Sequence, residues 1–185
     1  IFMKKITLTI LILFLSFLSF QSRSEIVGQQ EYVENEWLID GHDKKEIRIS
    51  VNGMITNGDK LIIRLVKGNC ENGNLLTYVY TTNHHPDILK LQDTLVDSLF
   101  MGDAIIAKVL FTSPFLLGHM AVVDLNWIPI EGLKEVLMRE NPISMQYIDT
   151  DDMKISDYFD ITHNSWSNNN LVNTLDKAFE ICKKL

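Results

Sequence analysis

Three Asn-Gly pairs, at positions 52–53, 57–58 and 72–73, cut the first half of this chain into short runs. Both residue types accept the positive φ angles of tight hairpin turns, so such pairs mark places where a strand folds back on itself. Before the first pair, Ile47, Ile49 and Val51 alternate with Arg48 and Ser50, the period of a half-buried strand. Residues 61–66 and 75–82 are rich in β-branched and aromatic side chains, and each follows a turn signal. The expected product is an antiparallel meander.

Past the polar break Asn83-His84-His85-Pro86-Asp87, residues 104–112 and 119–126 are almost continuously apolar and flank Ser113-Pro114-Phe115-Leu116-Leu117-Gly118. Such runs suit central strands covered on both faces. Ile130, Leu133, Val136 and Leu137 have helical spacing and stop before Asn141-Pro142, which predicts a helix over 130–139. A strand is expected at 143–148 and a last one at 154–161. A helix over 168–184 follows, with Val172, Leu175, Phe179 and Cys182 on one face and Lys177, Lys183 and Lys184 near its end. No repeat or long linker divides residues 25–185. The fold class is α+β: one mostly antiparallel, strongly twisted β-sheet or sandwich covered by a short helix and a C-terminal helix.

Residues 1–24 read as an address. Lys4 and Lys5 precede an uncharged, mostly apolar stretch from Ile6 to Phe20, the pattern of a secretory signal peptide. As a helix that stretch is about 22 Å long, short of the roughly 30 Å hydrocarbon core of a membrane. Ser22-Arg23-Ser24 offers a small-x-small cleavage site. No cysteine precedes position 70, so a lipid-anchored precursor is not expected, and neither is stable membrane insertion after cleavage. Loss of Lys4, Lys5 and Arg23 with the leader leaves 14 basic and 24 acidic residues among the remaining 161, a net charge of −10. That balance, without a Lys/Arg cluster, argues against nucleic acid and anionic membranes as partners and suits a basic protein partner.

Two cysteines in an exported chain predict a disulfide, Cys70 to Cys182, tying the C-terminal helix to the sheet. No Cys-x-x-Cys motif suggests redox work instead.

Chemistry-bearing residues are few. His84 and His85, with Asp87 nearby, are candidate metal ligands or a general base, although adjacent side chains on an extended chain point apart. Asp149, Asp151, Asp152, Asp157 and Asp160 offer the carboxylates a hard cation wants, without the glycine and distal glutamate of an EF-hand loop. Their bland readings are a polar hairpin loop and a solvated strand connection. His42 and His163 sit in polar breaks, and His119 opens a strand as a hydrogen-bonded edge residue. No nucleophile elbow, phosphate loop or zinc motif is present, and no cofactor is implied. Tyr78 and Tyr80 share a strand face, and Trp166 precedes the last helix, where it can clamp the first turn.

The segments Ile143-Ser144-Met145-Gln146-Tyr147-Ile148, Tyr158-Phe159-Asp160-Ile161 and Leu175-Asp176-Lys177-Ala178-Phe179 resemble the close of exported bacterial proteins of the invasion-associated locus B type. The resemblance spans about forty residues at the C-terminal end, and the closely spaced central cysteines of that family are missing here. It implies an exported, β-rich bacterial protein without known catalysis. The expected function is therefore that of a periplasmic or secreted, non-enzymatic binding protein, with a protein as partner. Two other expectations stand beside it. One is a metal-assisted or acid–base hydrolase using His84, His85 and the 149–160 segment, in which Asp151 and Asp157 are the low-ranked metal candidates. The other is an envelope component that keeps its leader as an anchor.

Overall fold

The computed structural model describes residues 36–42, 44–56 and 58–185. The leader and its cleavage site lie outside these residues. Among the described residues, nine strands form one sheet: β1 Leu38–His42, β2 Glu46–Asn52, β3 Lys60–Val66, β4 Asn69–Thr81, β5 Leu95–Phe100, β6 Asp103–Phe115, β7 Gly118–Pro129, β8 Ile143–Tyr147 and β9 His163–Trp166. Their spatial order is β1-β2-β3-β4-β7-β6-β5-β8-β9, and every pairing is antiparallel. Two helices complete the α+β fold: α1 Ile130–Met138 and α2 Leu171–Cys182.

The alternation expected in the first half sets the register. Ile49 pairs with Ile63 and Ile63 with Leu75, so the apolar residues of β2, β3 and β4 fall on one face. All three are fully buried. That face receives α1 through Ile130, Leu133 and Leu137, and α2 through Leu171, Leu175 and Ala178. Burying a leucine or isoleucine contributes about 1.5–3 kcal/mol, so this layer is a large contributor to the driving force. Lys134 links the helices, reaching Glu131 at 3.0 Å and Asp176 at 2.8 Å.

Several elements differ from expectation. The segment 154–161 is not a strand. Asp149 accepts bonds from the Ser156 backbone N–H (2.9 Å) and hydroxyl (2.6 Å), which closes the acidic stretch into a loop with a 3-10 turn at Ile155–Asp157. The last strand is β9, a polar tetrapeptide that buries Asn164 and Trp166. Trp166 is a core residue of β9 and stands four residues before Asn170, the N-cap of α2, rather than immediately before it. The helix itself starts at Leu171, and its buried face is Leu171, Thr174, Leu175, Ala178 and Cys182, with Val172 exposed. Thr174 turns inward because its hydroxyl bonds the carbonyl of Trp37 at 3.1 Å. β6 and β7 are central as expected, but β6 is covered on one face only: Ile106 and Phe111 remain exposed. β1 and β5 had no counterpart in the sequence reading.

The sheet curls until its far strands meet. The Met54 N–H donates to the Ser165 carbonyl at 2.8 Å, and the Ile55 N–H to Asn164 Oδ1 at 3.1 Å, so the turn after β2 touches β9. Gly53 makes this approach feasible, since a Cβ there would lie 2.4 Å from Asn164 Nδ2 and 2.6 Å from the Thr56 carbonyl. Gly53→Ala is expected to cost about 1–3 kcal/mol through this overpacking. Urea denaturation checks the value, and an unchanged midpoint would mean the seam is looser than described.

Candidate functional site

The end of β4 leads into the segment carrying both sequence-selected histidines. The His84 ring meets His119, the second residue of β7, edge to face at 5.8 Å. The His85 ring lies against Tyr158 at 4.3 Å, and its Nδ1 accepts the Asp87 N–H at 3.2 Å. The two imidazoles thus have separate partners, as adjacency on an extended chain requires. His119 lies on an interior strand of the sheet rather than an edge strand, and its Nδ1 is buried without a hydrogen-bond partner among the described residues. His42 ends β1, with its side chain outside the described residues. His163 opens β9 and is exposed.

The acidic and histidine segments do come together. Thr82 donates to the Asp160 carboxylate from its hydroxyl at 2.6 Å and from its N–H at 3.2 Å, and Asn83 Nδ2 donates to the Asp157 carbonyl at 2.5 Å. Burial pulls the Asp160 carboxyl up, but the bonds from Thr82 and Thr81 outweigh it and hold it below the ordinary carboxylate range. Asp149 is likewise held low, by Ser156. Asp151 and Asp157 are exposed. Among the described residues, no group of three or more His, Cys, Asp or Glu side chains is placed to hold a metal ion.

Cys70 and Cys182 form the expected disulfide, with their Cα atoms 5.9 Å apart. It joins the start of β4 to the last residue of α2.

Asp59 is a residue that sequence reasoning passed over as part of an Asn-Gly turn. It is 3% exposed. Its Oδ1 accepts the Tyr80 N–H at 2.7 Å and its Oδ2 accepts Asn164 Nδ2 at 3.0 Å. Burial pushes its carboxyl up to about 6, against the lowering effect of those two bonds and with a smaller push from Asp160. Nearby Tyr147 is buried, bonded to the Thr77 hydroxyl at 2.8 Å, and raised by that burial. Above Asn164 lies an open cleft of about 480 Å³, lined by Ile55, Leu99, Ser144, Gln146 and His163 among others. Asn164 itself closes the cleft floor, since its oxygen and amide are taken by Ile55, Ser165 and Asp59.

Among the described residues, the most exposed large apolar side chains stand at the tip of the β6–β7 hairpin. The structure extends both strands to Phe115 and Gly118, which pair directly, so the connection is the two-residue turn Leu116-Leu117 rather than a six-residue loop. Each leucine is 84% exposed, and Phe115 is 46% exposed. Phe115 is braced by Tyr80, edge to face at 6.1 Å. Gly118 packs so tightly on β4 that a Cβ would sit 2.0 Å from the Thr81 carbonyl. Leu116 has φ 51°, a left-handed conformation that costs a non-glycine residue about 1–2 kcal/mol. Two-residue hairpin turns favour glycine or asparagine at such positions. Two largely exposed leucines there work against solubility, and Leu116 also against local backbone preference, which is the pattern expected where a side chain serves recognition.

In comparisons with known proteins, no family model, no curated protein and no solved structure matches this chain.

Proposed function

We propose that this chain is an exported, non-enzymatic binding protein and that its partner is a protein. The observation that carries the reading is the pair Leu116 and Leu117, solvent-exposed on a braced hairpin whose backbone is hydrogen-bonded up to the turn. Burying each leucine in a partner's pocket is worth about 1.5–3 kcal/mol, and a few such anchors carry most of the energy of a protein interface. The polar, uncharged residues Thr82, Asn83 and Ser113 beside the hairpin tip suit the rim of such a contact. The leader pattern, the disulfide and the C-terminal resemblance support a periplasmic or secreted setting.

A hydrolase built on His84, His85 and the acidic segment draws support from the contact between Thr82, Asn83 and residues 157–160, but the two imidazoles face different neighbours. Binding is therefore the preferred reading. The test compares the mature chain with a Leu116→Ser/Leu117→Ser variant in pull-downs from envelope extract. Wild type should recover a defined protein, and the variant should lose about tenfold or more of it, as removal of two hot-spot side chains would. Equal recovery by both would overturn the assignment of the tip.

A further inference from the structure

We propose that the surface this protein recognises is an apolar pocket bordered on one side by lysine or arginine, because an exposed acidic ledge begins at Asp160, next to the apolar hairpin tip, and runs away from the tip toward Asp152. This inference rests on the protein-binding reading and specifies the chemistry of the partner.

The juxtaposition follows from a short chain of contacts. The tip is fixed to β4 by Phe115 on Tyr80 and by pairing of His119 with Thr81. His119 meets His84 at 5.8 Å. The residues just before His84, Thr82 and Asn83, bond directly to Asp160 and to the Asp157 carbonyl. From there the chain runs back through the 3-10 turn to Asp149, held by Ser156, and to Asp151 and Asp152. Asp151, Asp152, Asp157 and Asp160 are exposed, and Lys154 is the one cation between positions 149 and 160. Across the ledge, Lys90 is taken by Asp87 at 2.7 Å.

The hairpin half that presents the leucines, from Val109 to Val123, contains no Asp, Glu, Lys or Arg. The tip therefore brings shape and apolar surface, and the ledge brings negative charge. In such an arrangement apolar anchors set affinity while charges steer approach and orientation. The same charge disfavours the other occupants. A second copy would set one ledge against another, and an anionic lipid leaflet would repel both the ledge and a domain of net charge −10.

The test uses two synthetic amphipathic helices with the same leucine face, one carrying lysine and the other glutamate on the polar face. Binding to the full oxidised chain is followed by fluorescence anisotropy. The lysine helix should bind about tenfold tighter or more, with an association rate that falls as salt is raised. Leu116→Gly/Leu117→Ser keeps a turn that glycine favours and should weaken that binding by about tenfold or more. Asp151→Asn/Asp152→Asn/Asp157→Asn should narrow the difference between the lysine and glutamate helices and flatten the salt dependence of association, and an unchanged difference would overturn the role of the ledge.

Equal binding of both helices, or no effect of the tip variant, overturns the inference. Tip-dependent partition into phosphatidylcholine vesicles would make lipid the occupant, and a tip-dependent dimer at rising concentration would make it a second copy. Either result also overturns it. Should the helices fail to discriminate while pull-down still captures a tip-dependent protein, the basic-rim chemistry is wrong and the binding function stands.

Discussion

Reducing the Cys70–Cys182 bridge is expected to lower folding stability by about 4–5 kcal/mol, because the bridge closes a loop of 112 residues in the unfolded chain. For a domain of this size that corresponds to a fall in Tm of about 10–15 °C. The location makes the effect structural as well as entropic. Cys182 is the last residue of α2, whose Leu171, Leu175 and Ala178 reach into the core, and Cys70 opens β4, which pairs with β3 and β7 in the interior of the sheet. Chemical denaturation with and without reductant measures the difference, and intact mass under both conditions confirms the two hydrogens gained on reduction. A change below about 1 kcal/mol would contradict this account of what ties helix to sheet.

A rise in stability on mild acidification is the second large effect expected, and it comes from Asp59. Its carboxyl keeps a proton up to about pH 6 in the folded chain, whereas its ordinary value is 3.8. The folded state therefore binds the extra proton between those values. Stability from this group is complete below pH 4, falls as pH rises toward 6, and levels off about 3 kcal/mol lower above that. Carboxyls held low, such as Asp160, act oppositely and lose their contribution only as pH drops below the ordinary carboxylate range. Denaturation between pH 4 and 8 should show the Asp59 slope in wild type and a flat difference in Asp59→Asn. The slope, not the level, is the readout, since the new amide would face Asn164 Nδ2 donor to donor. Parallel curves for the two proteins would mean that Asp59 ionises as it would in water.

What could be read from the residues alone, and what could not, follows from where polar side chains were placed. β2, β3 and β4 were legible because one face is apolar and Asn-Gly pairs separate the runs, so period and punctuation agree. α1 was legible for the same reason at helical period. β5 and β9 were hidden because they turn Ser98, Asn164 and Trp166 inward from otherwise polar or mixed segments. Their pairing, rather than their composition, makes them strands. The buried face of α2 was misjudged because Thr174 and Ala178, which carry little hydrophobic signal, are inside, while Val172 is outside.

At the level of the site, the disulfide followed from compartment logic and parity. The histidine and acidic segments touch through Thr82, Asn83 and Asp160, while no group of three or more His, Cys, Asp or Glu side chains among the described residues is placed to hold a metal ion. Asp59 gave no local sign, since an aspartate after Asn-Gly is an ordinary turn residue until Tyr80 and Asn164 enclose it. Leu116 and Leu117 read as loop residues in an apolar stretch. Only the direct pairing of Phe115 with Gly118 shows that nothing in the described chain covers them.

The tip proposed as the partner-binding element is open to direct test at Leu117. A photo-crosslinking amino acid placed at Leu117, and in a control chain at exposed Glu135 on α1, tests it in cells that produce the protein. The account predicts a discrete protein adduct from position 117, lost on competition with unlabelled wild type, and none from position 135. No protein adduct at 117, or the same adducts from both positions, would contradict it.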